Sequence, residues 1–151
     1  MKELINKIAE KKTGFVSAVT AFLALILTFT WFMPVVKYHS MTFTMLGTLK
    51  ESSGDNSEVL AAFIFAIVLC ALSIIWAAIP KLWAAIVGVL YSILPMALCI
   101  GQVNDWKKHF DLAIGGSLMK PLSILVVLLS IVKLVVVIME KKKRQTTPAE
   151  N

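Results

Sequence analysis

The sequence predicts an all-α membrane protein, a four-transmembrane-helix bundle with both termini in the cytoplasm. Of the 151 residues, 58% are hydrophobic and only 16% are charged, and the apolar residues form four long runs. A soluble domain usually has about a quarter of its residues charged, so lipid is the expected solvent for much of this chain. We expect a single domain because no long polar linker divides the sequence.

Each of the four apolar runs is long enough to cross a bilayer. About 20 residues, at about 1.5 Å of rise each, are needed to span about 30 Å of hydrocarbon. The predicted spans are residues 14–36, 59–79, 82–101 and 121–139. We predict helices because backbone groups in lipid must be hydrogen-bonded within their own segment, and the two-residue alternation of a membrane barrel is absent.

The basic residues near the span ends predict the orientation. With the amino terminus inside, nine of the fifteen basic residues lie on the inner side, five lie on the outer side, and Lys133 lies within the fourth span. Loops on the cytoplasmic side carry an excess of lysine and arginine. The sequence therefore predicts a multi-pass protein of the plasma (cytoplasmic) membrane with both termini cytoplasmic.

Charged segments lie outside the spans at both ends of the chain. Residues 2–12 put Leu4, Ile5 and Ile8 on one helical face, which predicts an interfacial helix leading into the first span. Residues 140–151 are predicted to form a disordered basic tail. The basic run from Lys141 either attracts anionic lipid or only fixes the orientation.

The connections between the spans differ in length. Only Pro80 and Lys81 separate the second and third spans, so these helices are expected to form a tight antiparallel hairpin at the inner face. In the long first external loop, residues 41–45 alternate apolar and polar, which predicts a short strand. Because an isolated strand is unstable, it must pair within the loop, with the second external segment or with a partner.

The second external loop is predicted to contain a short amphipathic helix. Apolar residues recur there at helical spacing, and two glycines follow as a stop signal. The apolar positions are Trp106, Phe110, Ala113 and Ile114, and the glycines are Gly115 and Gly116.

Small residues recur every four positions in the first three spans, a pattern that allows close helix packing. The stripes are Thr20, Ala24 and Thr28; Ala62, Ala66 and Cys70; and Ala84, Gly88 and Ser92. We expect Ala62, Ala66, Ala84, Gly88 and Ser92 to make helix-packing contacts. These contacts form either between spans of this chain, which we favour, or in an oligomer.

Lys133 is a candidate functional charge because it is the ionisable residue inside a predicted span. It lies six residues, or about 9 Å of helix, from the inner end of that span, within reach of a side chain that snorkels toward the headgroups. The alternative is a charge-pairing role within the bundle or with another chain. No acidic residue lies in any predicted span to pair with it.

The sequence offers no convincing set of catalytic or metal-binding residues. Asp105 and His109 share a helical face, and His39 follows the first span. The sequence does not place a third ligand at a known position beside the first two, so we expect no metal and no cofactor. Cys70 and Cys99 lie in apolar runs and are expected to be free, buried thiols. The net charge of +6 does not indicate nucleic acid, because the basic residues gather at the ends of apolar runs.

One stretch carries a resemblance to known proteins. Residues 30–38, TWFMPVVKY, close the first span and lead into a strand-like loop with Gly47, after which three more spans follow. This arrangement resembles small bacterial four-span membrane proteins of unknown function, in which a Trp and a Pro close the first helix. Claudins share the topology, but their Gly-Leu-Trp motif and paired loop cysteines are absent here, so the resemblance does not imply a junction-forming role.

These features predict a non-enzymatic membrane protein that acts by association. It would be an accessory or stabilising subunit of a membrane complex, or a small homo-oligomer, with membrane lipids and protein as partners and no nucleic acid. The alternative is a small channel or transporter formed between subunits, with Pro95 and Lys133 shaping a polar path. A membrane enzyme ranks third, because its reactive groups would have to come from the external loops.

Overall fold

The computed structural model describes residues 2–44, 47 and 57–146. Within these residues the chain forms four helices and three strands. In order they are α1 Lys2–Thr30, β1 Pro34–Tyr38, β2 Met41–Thr44, α2 Ser57–Ala78, α3 Leu82–His109, β3 Asp111–Leu112 and α4 Ile114–Thr146.

Three of the helices in the described part of the chain are long and apolar enough to cross a membrane. They are the stretches Lys11–Thr30, Leu82–His109 and Ile114–Lys143, and α2 contains the shorter apolar stretch Phe63–Ala78. Large apolar side chains such as Phe22 (62% exposed) and Leu90 (61% exposed) cover the outside of the helices. An exposed apolar surface of this extent fits a lipid environment.

The helices pack side by side in a ring. α1 contacts α2 and α4, and α3 contacts the same two helices. Small and hydroxyl side chains face the interior, including Thr20, Ala84 and Ser123, which are almost completely buried. Residues 79–81 alone connect α2 to α3, and the two helices pack on each other, as predicted for a tight hairpin.

A three-stranded antiparallel sheet lies at one end of the helices. β1 is the central strand, with β2 on one side and β3 on the other. The predicted strand at residues 41–45 is confirmed as β2 over Met41–Thr44, and Met45 lies outside the described residues. β2 pairs with β1, which precedes it in the chain, while β1 also pairs with β3 from the segment between α3 and α4.

The first predicted span was too long at its carboxyl end. α1 ends at Thr30, and residues 34–36 belong to β1 instead of the helix. The last turn tightens through backbone hydrogen bonds from Trp31 to Thr28 and from Phe32 to Phe29, at 3.3 and 3.0 Å. Pro34 then prevents the helix from continuing, because it has no backbone N–H and disfavours helical backbone before it.

The predicted amphipathic external helix is wrong. α3 continues through His109, Phe110 leaves it with extended backbone, and α4 already begins at Ile114. Antiparallel pairing with β1 holds β3 extended between the two helices. Gly115 and Gly116 therefore lie in the first turn of α4 and do not end a helix.

The helix predicted for residues 2–12 is present, and the region predicted as a disordered tail is partly helical. Residues 2–12 form the first turns of α1, continuous with the first span. The prediction of a disordered tail is wrong for residues 140–146, which extend α4, while residues 147–151 lie outside the described part. Glutamate, lysine, arginine and glutamine are strong helix formers, and basic residues are favourable near a helix carboxyl end.

The first turn of α4 lies directly on the backbone at the end of α1. A Cβ added to Gly115 would be 2.8 Å from the Pro34 carbonyl oxygen and 3.0 Å from that of Thr30. A Cβ added to Gly116 would overlap the Val35 carbonyl oxygen, which also accepts a hydrogen bond of 3.0 Å from the Ala113 N–H. We call this contact of Gly115 and Gly116 with the backbone of residues 30–35 the glycine junction.

Replacing Gly116 with alanine tests the glycine junction. The new Cβ would force α4 away from β1, so we expect the free energy of unfolding to fall by about 1–3 kcal/mol. Gly101→Ala is the matched control, because no atom beyond the adjoining turns of its own helix lies within 4 Å of the Cβ that it would add. Alanine at that position should stabilise α3 by up to about 1 kcal/mol. Reversible unfolding in detergent micelles measures both variants, and equal stabilities would contradict the close contact.

Candidate functional site

An open groove lies at the end of the molecule that carries the sheet. It has a volume of about 520 Å³ and forms where the last turn of α3 meets β1. β1 pairs antiparallel with β3, which follows α3, and this pairing joins β1 to the end of α3. It places Lys37 opposite Asp111. The residues lining the groove, which we call the cap groove, are Lys37, Tyr38, His39, Lys107, Lys108, His109, Phe110 and Asp111.

Aromatic rings form one wall of the cap groove. The Tyr38 ring lies 4.5 Å from the His39 ring and 6.1 Å from the Phe110 ring, measured between centroids. The Phe110 ring in turn lies 6.4 Å from the His109 ring. These edge-on contacts connect the two histidines, which are far apart in sequence, through two aromatic residues.

The backbone at His39 adopts an uncommon conformation. Its φ is 55°, a value that favours glycine, in the two-residue turn that joins β1 to β2. Strained backbone of this kind costs of order 1 kcal/mol and clusters at functional sites. The chain thus tolerates this strain at a residue that lines the cap groove.

Lysines give the cap groove a positive charge. Three lysines line it against one carboxylate, that of Asp111. The Lys108 ammonium also binds the Asp105 carboxylate at 2.9 Å, but both side chains are about two-thirds exposed, so this ion pair is weak. The lysines in the last turn of α3 interact favourably with the partial negative charge at that helix end.

The geometry does not support a metal site at the histidines. Within the described residues, no group of three or more His, Cys, Asp or Glu side chains could hold a metal ion. Asp105, which the spacing joined to His109, binds the Lys108 ammonium instead.

At the opposite end of the helices, Lys133 is buried and fully hydrogen-bonded. Its ammonium donates to the carbonyl oxygens of Trp76, Ala77 and Ile79 at 2.9, 2.7 and 2.8 Å, and the residue is 2% exposed. These carbonyls lie at the carboxyl end of α2, where backbone acceptors lack partners within the helix and a cation is favourable. The side chain thus reaches toward the end of the helices, as a snorkelling lysine would. Its ammonium, however, stays buried among the helices and binds the carboxyl end of α2, which lies diagonally across the ring from α4.

The small-residue stripes lie in the interior of the molecule. Ala66, Ala84, Gly88 and Ser92 are all buried, and the side chain of Ala62 lies outside the described part. A Cβ on Gly88 would lie 3.5 Å from the Trp76 Cβ, an ordinary packing distance across the α2–α3 interface. These four residues are thus used for contacts within this chain, while Thr28 of the first stripe is half-buried.

Most described hydroxyl groups of the long helices bind their own helix, whereas the buried hydroxyls of Thr13 and Ser17 have no partner among the described residues. Four serine hydroxyls donate to carbonyl oxygens three or four residues earlier, at 2.8 to 3.0 Å, and the hydroxyls of Thr20, Thr28 and Thr30 make the same kind of bond at 2.6 to 2.9 Å. The serines are Ser73, Ser92, Ser123 and Ser130. Both histidines lie exposed in the cap groove, so the structure does not bring these hydroxyls to a histidine that could activate them.

Trp31 fills the core beneath the sheet. It is 2% exposed and packs edge-on against the Phe63 ring at 6.1 Å. Cys70 and Cys99 are free, are buried and lie beside its indole, as predicted for two apolar thiols. Among the described residues, no acceptor meets ordinary hydrogen-bond geometry with the indole N–H. We therefore assign this cluster to packing.

No family model, no curated protein and no solved structure matches this chain. Function must therefore be inferred from the cap groove, from Lys133 and from the helix surfaces.

Sequence patterns singled out the histidines of the cap groove but not its lysines or Tyr38. The available signal was the positive charge at the ends of the first and third predicted spans, which the predicted topology puts on one side of the membrane. Lys37 closely follows the first apolar run, and Lys107 and Lys108 follow the third. Only the β1–β3 pairing, however, brings these two segments into one groove.

Replacing Lys133 with methionine tests the role of the buried ammonium. The variant keeps a long side chain but removes three hydrogen-bond donors, so we expect the free energy of unfolding to fall by about 1–3 kcal/mol. Lys120→Met, at an exposed lysine of the same helix, should change it by less than about 0.5 kcal/mol. Unfolding in detergent micelles measures both. Unchanged stability in the Lys133 variant would mean that the bonds to α2 contribute nothing.

Proposed function

We propose that the protein crosses the plasma membrane four times, with both termini in the cytoplasm, and that α2 is the fourth span. α2 has 22 residues, which gives about 33 Å of helix against about 30 Å of hydrocarbon. Four spans return the chain to its starting side, which agrees with the basic clusters near both termini. The sheet and the cap groove then face outward, and residues 79–81 face the cytoplasm.

We further propose that the protein is non-enzymatic and acts by association, as an accessory or stabilising subunit of a membrane complex or as a small homo-oligomer. The observation that carries this proposal is the glycine junction, which joins the sheet to α4 through backbone contact. A surface held in one conformation binds a partner without losing further conformational freedom. The cap groove, with its exposed Tyr38 and Phe110 rings, is the surface presented in this way.

The buried groups also favour association. Lys133 is occupied by backbone carbonyls, and the described small-residue stripes pack inside the chain. Contacts with a partner must therefore come from the cap groove or from the large apolar side chains on the outer helix surfaces. A channel or transporter between subunits has less support, because those surfaces would line it with apolar side chains and Lys133 would not reach it.

Paired variants test whether association uses the cap groove. After mild detergent extraction from cells at native expression, native mass spectrometry should show a reproducible partner or a defined oligomer. Tyr38→Ala combined with Phe110→Ala should lower the bound fraction about tenfold, because large aromatic side chains dominate interface energies. Ile93→Ala combined with Leu94→Ala, on the exposed surface of α3, is the control and should retain it.

A monomer without any partner would contradict the association proposal itself. Loss of the complex only in the α3 variant would move the interface from the cap groove to the helices.

Cysteine labelling tests the four-span topology. Ser40→Cys, in the turn between β1 and β2, should react with a membrane-impermeant maleimide added to intact cells, because that turn is proposed to face outward. Lys81→Cys should react only after the membrane is permeabilised. The native Cys70 and Cys99, 1% and 0% exposed, provide an unreactive background. Reaction of both introduced cysteines in intact cells, or of neither, would contradict the topology.

A further inference from the structure

We infer that the cap groove binds the phosphate group of an anionic phospholipid at the membrane boundary on the sheet side. This inference goes beyond the proposed association and does not require a protein partner. It requires only that α3 and α4 cross the membrane, and both belong to the helices that are long and apolar enough to do so.

The length of α3 puts the cap groove at the depth of lipid headgroups. Its 28 residues give about 42 Å of helix. A bilayer, measured with its headgroups, is about 40–45 Å thick. Lys81 precedes the helix, and Lys107 and Lys108 lie in its last turn. The lysines of the groove therefore lie just beyond the hydrocarbon, where lipid phosphates lie.

The aromatic and apolar residues around the groove fit the same depth. Tyr38 and Phe110 are 54% and 43% exposed, and aromatic side chains of this kind concentrate at membrane interfaces. Directly after β3, α4 exposes Ile114 and Leu118, at 72% and 41%. These side chains offer an apolar surface for acyl chains next to a polar site for the headgroup.

The charges of the groove favour an anion that is held from two sides. Lys37 comes from β1, while Lys107 and Lys108 come from α3, so a phosphate between them receives donors from separate elements. Apart from the histidines, three lysines and the Asp111 carboxylate leave two net positive charges. Lys108 is available because its exposed pair with Asp105 is weak.

The size of the groove fits a headgroup better than a macromolecule. Its volume of about 520 Å³ lies within the range of small-ligand sites, about 300–1,000 Å³. An acidic protein segment is the competing occupant, since it would also seek the lysines. The bilayer depth and the neighbouring apolar surface favour the lipid, because a soluble segment gains nothing from either.

The test is a lipid titration of the full-length protein in detergent, followed by native mass spectrometry. The probes are phosphatidylglycerol, phosphatidylcholine and inorganic phosphate. Lys37→Gln combined with Lys107→Gln removes two charges from the groove. Lys81→Gln combined with Lys120→Gln removes two exposed charges elsewhere and is the matched control. A third variant, Lys37→Arg combined with Lys107→Arg, keeps the charge.

We expect the native protein to bind phosphatidylglycerol more tightly than phosphatidylcholine. The groove variant should lose about thirtyfold in affinity, since each lysine near an anionic surface contributes about fivefold. The control should lose less than about threefold, and the arginine variant should retain binding. Exposed lysines are not expected to determine folding, and an unchanged elution volume on size exclusion verifies this for each variant.

Three results would overturn the inference. Equal affinity for the two lipids would mean that the groove does not select anionic headgroups. Equal losses in the groove variant and the control would mean that binding follows overall charge. Full displacement of phosphatidylglycerol by an equal concentration of inorganic phosphate would identify a free-phosphate site. Failure of lipid binding would leave the association with a protein partner unaffected, because that proposal is tested by copurification.

Discussion

The contact of Gly115 and Gly116 with the backbone at the end of α1 is the constraint on which the sheet-bearing end of the molecule depends. With no side chain in the way, the first turn of α4 approaches the Thr30, Pro34 and Val35 carbonyls directly. The same approach lets the Ala113 N–H bind the Val35 carbonyl, which places β3 beside β1. Because β3 directly follows α3, this single close contact also determines where the last turn of α3 meets β1.

Lys133 plays a corresponding part at the other end of the helices. In lipid, apolar surfaces contribute little to helix association, so close packing of small residues and polar contacts must hold the helices together. The Lys133 ammonium connects α4 to the carboxyl end of α2 across the diagonal of the ring, while neighbouring helices pack through small residues such as Gly88. An ion pair in the same position would have required a carboxylate in a span, and carbonyls at a helix end avoid that cost.

Hydropathy predicted much of the fold, and its errors have physical causes. The apolar runs predicted the helices well, but Val35 and Val36, which are buried within β1 of the sheet, have the same hydropathy as residues in lipid. Pro34 was the local signal that the first helix had ended. Gly115 and Gly116 resembled a helix stop, because sequence alone does not distinguish a glycine that ends a helix from one that permits backbone contact.

The candidate sites were less predictable than the helices. The importance of Lys133 was evident, but its acceptors are backbone carbonyls, which have no signature in the sequence. The histidines of the cap groove attracted attention, whereas Lys37 and Lys107 seemed only to mark span ends. Their proximity depends on β1–β3 pairing over a long sequence separation, which local patterns do not encode.

The central claim is that the glycine junction holds the sheet firmly on the helices. Hydrogen exchange at the Ala113 amide tests this claim most directly. This N–H, which lies between β3 and α4, donates to the Val35 carbonyl of β1 at 3.0 Å. In detergent micelles its protection should match that of amides in the middle of α3 and α4, because it opens only when the start of α4 separates from β1. Exchange as fast as at the exposed turn residue Ser40 would contradict this account.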